Sequence, residues 1–129
     1  MVKSKVQISK LTTLSDARGT VFEPLAVEEM LNQKNVHVVT SKPGVIRGNH
    51  YHIEGEETIV VIGPVQVRFR EDDKHQDIEV SENEVYRFIF PPGVPHAIKN
   101  TSEKTNVLIA FNTQPHDRNH PDTIREELL

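Results

Sequence analysis

The 129-residue chain is 36% hydrophobic and 26% charged, with a formal net charge of −4 and no cysteine. That length suits one domain, the composition is not that of a disordered chain, and the scattered Lys and Arg form no basic stripe of the kind nucleic acid selects. Without cysteine there are no disulfides or thiolate metal sites, so a bound metal must draw on His, Asp and Glu, and a reducing cytoplasm is the expected compartment.

The N-terminal stretch MVKSKVQISK has no apolar leader core. No apolar run approaches the roughly 20 residues of a membrane helix, so no membrane partner is expected.

In chain order, Lys5 to Leu11 predicts a first strand, and Ser15-Asp16-Ala17-Arg18-Gly19 a turn before an extended Thr20 to Pro24. Val27 to Gln33 is the one internal helix expected. Val36 to Thr40 is β-branched and strand-like, followed by a turn at Ser41-Lys42-Pro43-Gly44. Strands then follow closely: Val45 to His52, Glu56 to Ile62, a tight turn at Gly63-Pro64, and Val65 to Arg70 with clean alternation. Glu71 to Gln76 reads as a polar loop tip. Asp77 to Val80, Tyr86 to Phe90, His96 to Asn100 and Val107 to Phe111 read as further short strands. The polar tail predicts a short helix over Asp122 to Leu128. Many short strands with almost no helix predict an all-β sandwich or barrel. With no repeat, linker or low-complexity segment, one domain over residues 1–129 is expected.

The chemistry concentrates between Gly44 and Gly63. His50 and His52 are one residue apart, so on a strand they share a face. Glu56 follows closely, and a neighbouring strand facing the same interior would bring three metal-competent groups together. Glu57 is the alternative carboxylate. A second stretch, Pro91 to Asn100, places His96 at the start of a strand just after a Pro-Pro-Gly turn. His37, His75, His116 and His120 read as surface or structural histidines.

Together the two stretches spell G-x5-H-x-H-x3-E-x6-G and P-x-G-x2-H-x3-N, which resembles the paired motifs of the cupins. The glycine usually found with five residues between it and the second motif's first proline is replaced by Val85. The resemblance implies a single-domain jelly-roll barrel, with His50, His52, Glu56 and His96 as metal ligands at its mouth. Such a donor set suits a divalent ion, zinc first, with Mn, Fe, Ni or Cu as alternatives, and leaves positions open for substrate.

A narrower likeness lies just ahead of the histidines. Ile46-Arg47-Gly48-Asn49-His50-Tyr51-His52 is similar to the R-G-x-H segment of nucleotide-sugar epimerases and ketoisomerases, and Asp16 to Phe22 to the D-x-R-G-x-F segment of dTDP-4-dehydrorhamnose 3,5-epimerases. The RGNHYH run and the Asn119-His120-Pro121-Asp122-Thr123 tail resemble the C-terminal cupin domain of capsular-polysaccharide UDP-sugar reductases.

This resemblance implies proton abstraction beside the ketone of a nucleotide-linked 4-keto sugar, giving an epimer or a ketoisomer. His50, His52 and Arg47 are the implied catalytic residues. Arg47, Asn49, Arg68 and Asn100 are the implied substrate contacts, and Arg47 suits the diphosphate or an enolate through its bidentate fork. The tyrosine acid of the rhamnose-pathway epimerases has no counterpart near Val107 to Phe111. The cofactor-free ketoisomerases use an H-x-H pair as acid and base, so this resemblance sets two roles in competition at His50 and His52, metal ligand and acid–base, and Glu56 with His96 favours the metal. A homodimer and a separate reductase are the implied partners. A metal-dependent dioxygenase and a non-catalytic sugar-binding cupin are the alternative functions.

Overall fold

A computed structural model describes residues 4–129. The first three residues, part of the stretch read as lacking a leader core, lie outside the described residues. The elements in order are β1 (Gln7–Lys10), β2 (Leu14–Asp16), β3 (Gly19–Val21), α1 (Val27–Met30), β4 (Asn35–Ser41), β5 (Ile46–His52), β6 (Glu57–Ile62), β7 (Val65–Glu71), β8 (Lys74–Val80), β9 (Val85–Phe90), β10 (His96–Asn100), β11 (Asn106–Asn112) and β12 (Thr123–Arg125).

Two antiparallel five-stranded sheets, ordered β1-β9-β6-β11-β4 and β12-β5-β10-β7-β8, form the two walls, and β2 and β3 make a separate hairpin. The fold is all-β and cupin-like, as expected. Strand parity explains the interior. On β7, Val65, Val67 and Phe69 are buried while Gln66, Arg68 and Arg70 face outward. Phe88 and Phe90 of β9, Ile98 of β10, Leu108 and Ala110 of β11, and Ile59 and Val61 of β6 complete one core.

The helix is a single turn. Arg87 tethers its surroundings to the outer face of the first sheet, through Pro24 O at 3.3 Å and the Glu29 carboxylate at 3.4 Å. Arg87 lies opposite Val60, which is buried with Thr58 although both point away from the core.

Two local expectations change. The polar tip at Glu71 to Gln76 is mostly strand, because β7 and β8 run on until only Asp72 and Asp73 turn, at φ 48° and 64°. Asp tolerates this left-handed backbone, as a tight hairpin of matching twist requires. The tail helix expected over Asp122 to Leu128 is instead β12, pairing Thr123, Ile124 and Arg125 with His52, Tyr51 and His50. The unpaired edge of β5 offers those residues interstrand hydrogen bonds, which outweigh the weak helical propensity of a short segment.

Candidate active site and metal centre

His50 and His52 lie on β5, His96 begins β10 directly opposite His50, and Glu57 begins β6 on the facing sheet. One ligand-competent atom from each of these four residues lies within 4.8 Å of the other three. Glu57 is the hub. Its carboxylate is 2.6 Å from His96 Nε2, 3.1 Å from His52 Nε2 and 3.6 Å from His50 Nε2. His96 is stacked on Phe90 at 4.2 Å between ring centroids, so an aromatic floor fixes its plane.

The carboxylate in this group is that of Glu57, not Glu56. Glu57, Ile59 and Val61 share the inward parity of β6, while Glu56 precedes the strand with the parity of Thr58 and Val60. The Glu56 backbone N–H instead donates to Thr113 Oγ1 at 3.0 Å.

The donor set fits a divalent cation. Val94 O can only accept, so His96 Nδ1, 3.0 Å away, donates to it. A neutral His96 then turns the lone pair of Nε2 toward a carboxylate oxygen 2.6 Å away. Two acceptors at that distance share a proton, which a cation bound by both, at about 2.0–2.2 Å from each, would displace while drawing the two atoms apart. The Nε2 atoms of His50 and His52 are buried without an aligned hydrogen-bond partner; the 3.1 Å approach of His52 to Glu57 is a charge contact. Burial alone would push the Glu57 carboxyl up. The imidazoles of His50, His52 and His96 outweigh it and hold the group well below the usual carboxylate range, so it is ionised. At His52 burial pulls the ring down, but Glu57 and Asp122 prevail and raise it. Three imidazoles and one ionised carboxylate suit Zn or a similar first-row ion.

Around this group the backbone is shaped by a bulge. His96 pairs with His50, yet Ala97 pairs with Gly48, so Asn49 is an extra residue on β5. Asn49 and Gly48 both take positive φ, 53° and 88°. A Cβ on Gly48 would lie 2.7 Å from His96 O, so only glycine fits there. The bulge shifts parity by one. Arg47, opposite the core residue Ile98, therefore faces the same interior as His50. Its Nη2 donates to Thr40 O at 2.7 Å and its Nε to Ser41 Oγ at 3.2 Å, which holds the guanidinium at the cavity wall.

Three of the expected substrate contacts are engaged elsewhere. Asn49 Oδ1 accepts from the backbone N–H of Leu128 and Leu129 and pins the tail. Arg68 faces outward, paired with Asp77 at 2.7 Å and donating to Leu128 O. Asn100 is buried and organises the turn to β11, donating to Ser41 O and Lys104 O and accepting from Ser102. None of the three lines the cavities beside the cluster.

Two cavities flank His50 and Glu57. One, of about 200 Å³, also touches His37, His52, His116 and Asp122; the other, of about 260 Å³, touches His37, Val39 and Arg47. Asp122 accepts from the backbone N–H of Glu54 and Gly55 at 3.0 and 2.8 Å, and lies 3.6 Å from His52 Nδ1. His37, His116 and Asp122 were not separable from surface residues in the sequence. The only signal was the family-like Asn119 to Thr123 tail that contains Asp122.

Residues 14–124 match the polysaccharide biosynthesis C-terminal domain family. The chain belongs to that family. Among relatives of this polysaccharide biosynthesis domain, the UDP-2-acetamido-2,6-beta-L-arabino-hexul-4-ose reductase of Pseudomonas aeruginosa is 32% identical over 114 residues, which cover 84% of this chain and 29% of the reductase. The capsular polysaccharide assembling protein CapF of Staphylococcus aureus is 32% identical with a TM-score of 0.68, over 92% of this chain and 33% of CapF. The chain thus spans about a third of the length of these relatives. The 3,4-ketoisomerase QdtA of Thermoanaerobacterium thermosaccharolyticum, solved with TDP, shares the fold of this domain at TM-score 0.74 and 22% identity, over 97% of this chain and 90% of QdtA. Among the described residues no helix is long and apolar enough to cross a membrane.

Proposed function

We propose that this chain is a metal-dependent cupin enzyme of the cytoplasm that acts on a nucleotide-linked 4-keto sugar, an epimerase or isomerase of surface-polysaccharide synthesis. The observation that carries this reading is the placement of Arg47 on the same inner face as His50, beside three imidazoles converging on one ionised carboxylate. Membership of a polysaccharide-biosynthesis family and the fold shared with a sugar ketoisomerase support it.

His50, His52, Glu57 and His96 would hold the ion, zinc first, and it would supply Lewis-acid polarisation of a substrate oxygen. Arg47 offers its remaining N–H groups to the substrate's diphosphate or to the oxygen that gains charge when the adjacent carbon loses its proton. The ketone activates that C–H bond, and the cavity walls hold the sugar while the proton is away from carbon. A reductase is the proposed partner, since the curated relative is a reductase.

The test is solvent exchange. In heavy water, with a TDP- or UDP-linked 4-keto-6-deoxyhexose, the protein is expected to place deuterium on the carbon beside the ketone, read by NMR or mass spectrometry. Absence of exchange with both nucleotides would sink the reading. Binding without exchange would favour a sugar-binding module, and oxygen consumption would favour an oxygenase.

A further inference from the structure

We infer that His37 is the residue that carries the substrate's proton. The inference rests on the reading of the site as a metal-dependent sugar-nucleotide epimerase or isomerase.

Proton transfer needs a titratable group open to the cavity and free of other duties. Around the two cavities most such groups are engaged. His50, His52 and His96 direct Nε2 at Glu57, and a nitrogen that binds a metal has no lone pair left for a proton. His96 gives its other nitrogen to Val94 O, and His52 turns Nδ1 toward Asp122. Asp122 accepts from the backbone N–H of Glu54 and Gly55 and faces His52 Nδ1, which ties it to the loop behind the metal group. Asp117 accepts from the Asn119 N–H and from His120. Among the described residues neither tyrosine lines either cavity.

His37 and His116 are the two histidines of these cavities that stand outside the metal group. His37 lies on the inner face of β4, in the row His37–Ala110–Ile59, next to the row Asn35–Asn112–Glu57. Its neighbour in that row is alanine, so the space beside the ring is open rather than packed. His37 borders both cavities, the one with His52 and Asp122 and the one with Arg47. His116 meets it edge to face, 5.5 Å between centroids, and limits its rotation. The His37 ring makes no hydrogen bond among the described residues.

In the step, a neutral His37 nitrogen takes the proton from the carbon beside the ketone. The C–H electron pair becomes a carbon–carbon double bond and the carbonyl oxygen takes the negative charge, next to Arg47. The imidazolium then returns a proton to the same carbon, which registers as exchange with solvent, or, as the neighbouring hydroxyl gives its proton to the enolate oxygen, delivers it to the former carbonyl carbon to give the ketoisomer, so no outside reagent is consumed. His116 is a positioning residue.

The experiment compares deuterium exchange by the metal-loaded wild type, His37→Gln, His37→Ala and, as a remote control, His75→Gln. The probes are TDP- and UDP-linked 4-keto-6-deoxyhexoses. His37→Gln is expected to lose about 10²- to 10⁴-fold in exchange rate, with metal content and circular dichroism unchanged. Added imidazole should restore part of the exchange to His37→Ala, a rescue that a purely structural role for His37 would not permit. Exchange by His37→Gln within about threefold of wild type would overturn the assignment while leaving the function standing. Failure of the wild type to exchange either sugar would overturn both.

Discussion

Glu56 and Glu57 are adjacent carboxylates with opposite placements, and the difference is one step of strand parity. Glu57 faces three imidazoles, whose combined pull exceeds the cost of burying its charge. Removing that charge leaves the imidazoles facing each other across a site with no counter-ion. Glu57→Gln is therefore expected to lose most of its bound zinc, whereas Glu56→Gln keeps it, as elemental analysis of the dialysed proteins would show. Equal zinc in the two variants would refute the ligand set. Phe90 matters at the same scale: it holds the plane of His96, so the ring cannot tilt away from Glu57.

Two elements outside the motifs decide the shape of the site. The bulge at Gly48 and Asn49 puts Arg47 and His50, three residues apart, on one face. An alanine at Gly48 would meet His96 O at 2.7 Å in a left-handed backbone. Gly48→Ala should cost about 1–3 kcal/mol, seen as a lowered midpoint in thermal or denaturant unfolding. An unchanged midpoint would show that the bulge is not strained by a side chain. β12 is the second element. It covers the edge of β5 and delivers Asp122 to the loop behind His52, where a Cβ on Gly55 would press on the side-chain ends of Asn112 and Asp122. Asp122→Asn places an amide NH2 against a backbone N–H. We expect zinc affinity to fall about 10- to 100-fold, the usual effect of disturbing the groups that orient a ligand, measured by chelator competition.

For the molecule as a whole, the uncovered apolar surface is uneven. Val36 and Val38 on the outer face of edge strand β4 are 56% and 69% exposed, and Leu14 and Val21 on the β2–β3 hairpin are 75% and 70% exposed. A two-stranded hairpin is marginal by itself, and among the described residues this one pairs with no other strand. A second copy of the chain is the expected cover. Light scattering should give twice the 14.7 kDa chain mass, and Val38→Asp should shift the population toward monomer. A monomer across micromolar concentrations would refute this.

The sequence by itself determined the all-β class, most strand positions and three of the four residues that converge, because alternation and histidine spacing are local properties of a strand. The tertiary structure decided the rest. The choice of Glu57 over Glu56 depended on where β6 begins relative to the core. Arg47 was visible as a candidate, but its inward direction required a bulge that only the register with β10 reveals. Asn49, Arg68 and Asn100 looked like substrate contacts and proved to be bound to the tail and turns. The tail became a strand because β5 had an open edge, a fact about a partner far away in the chain. His37 came to the mouth of the site because β4 pairs with β11, bringing residue 37 beside residue 110. Such pairings join distant segments, and no local pattern of residues encodes them.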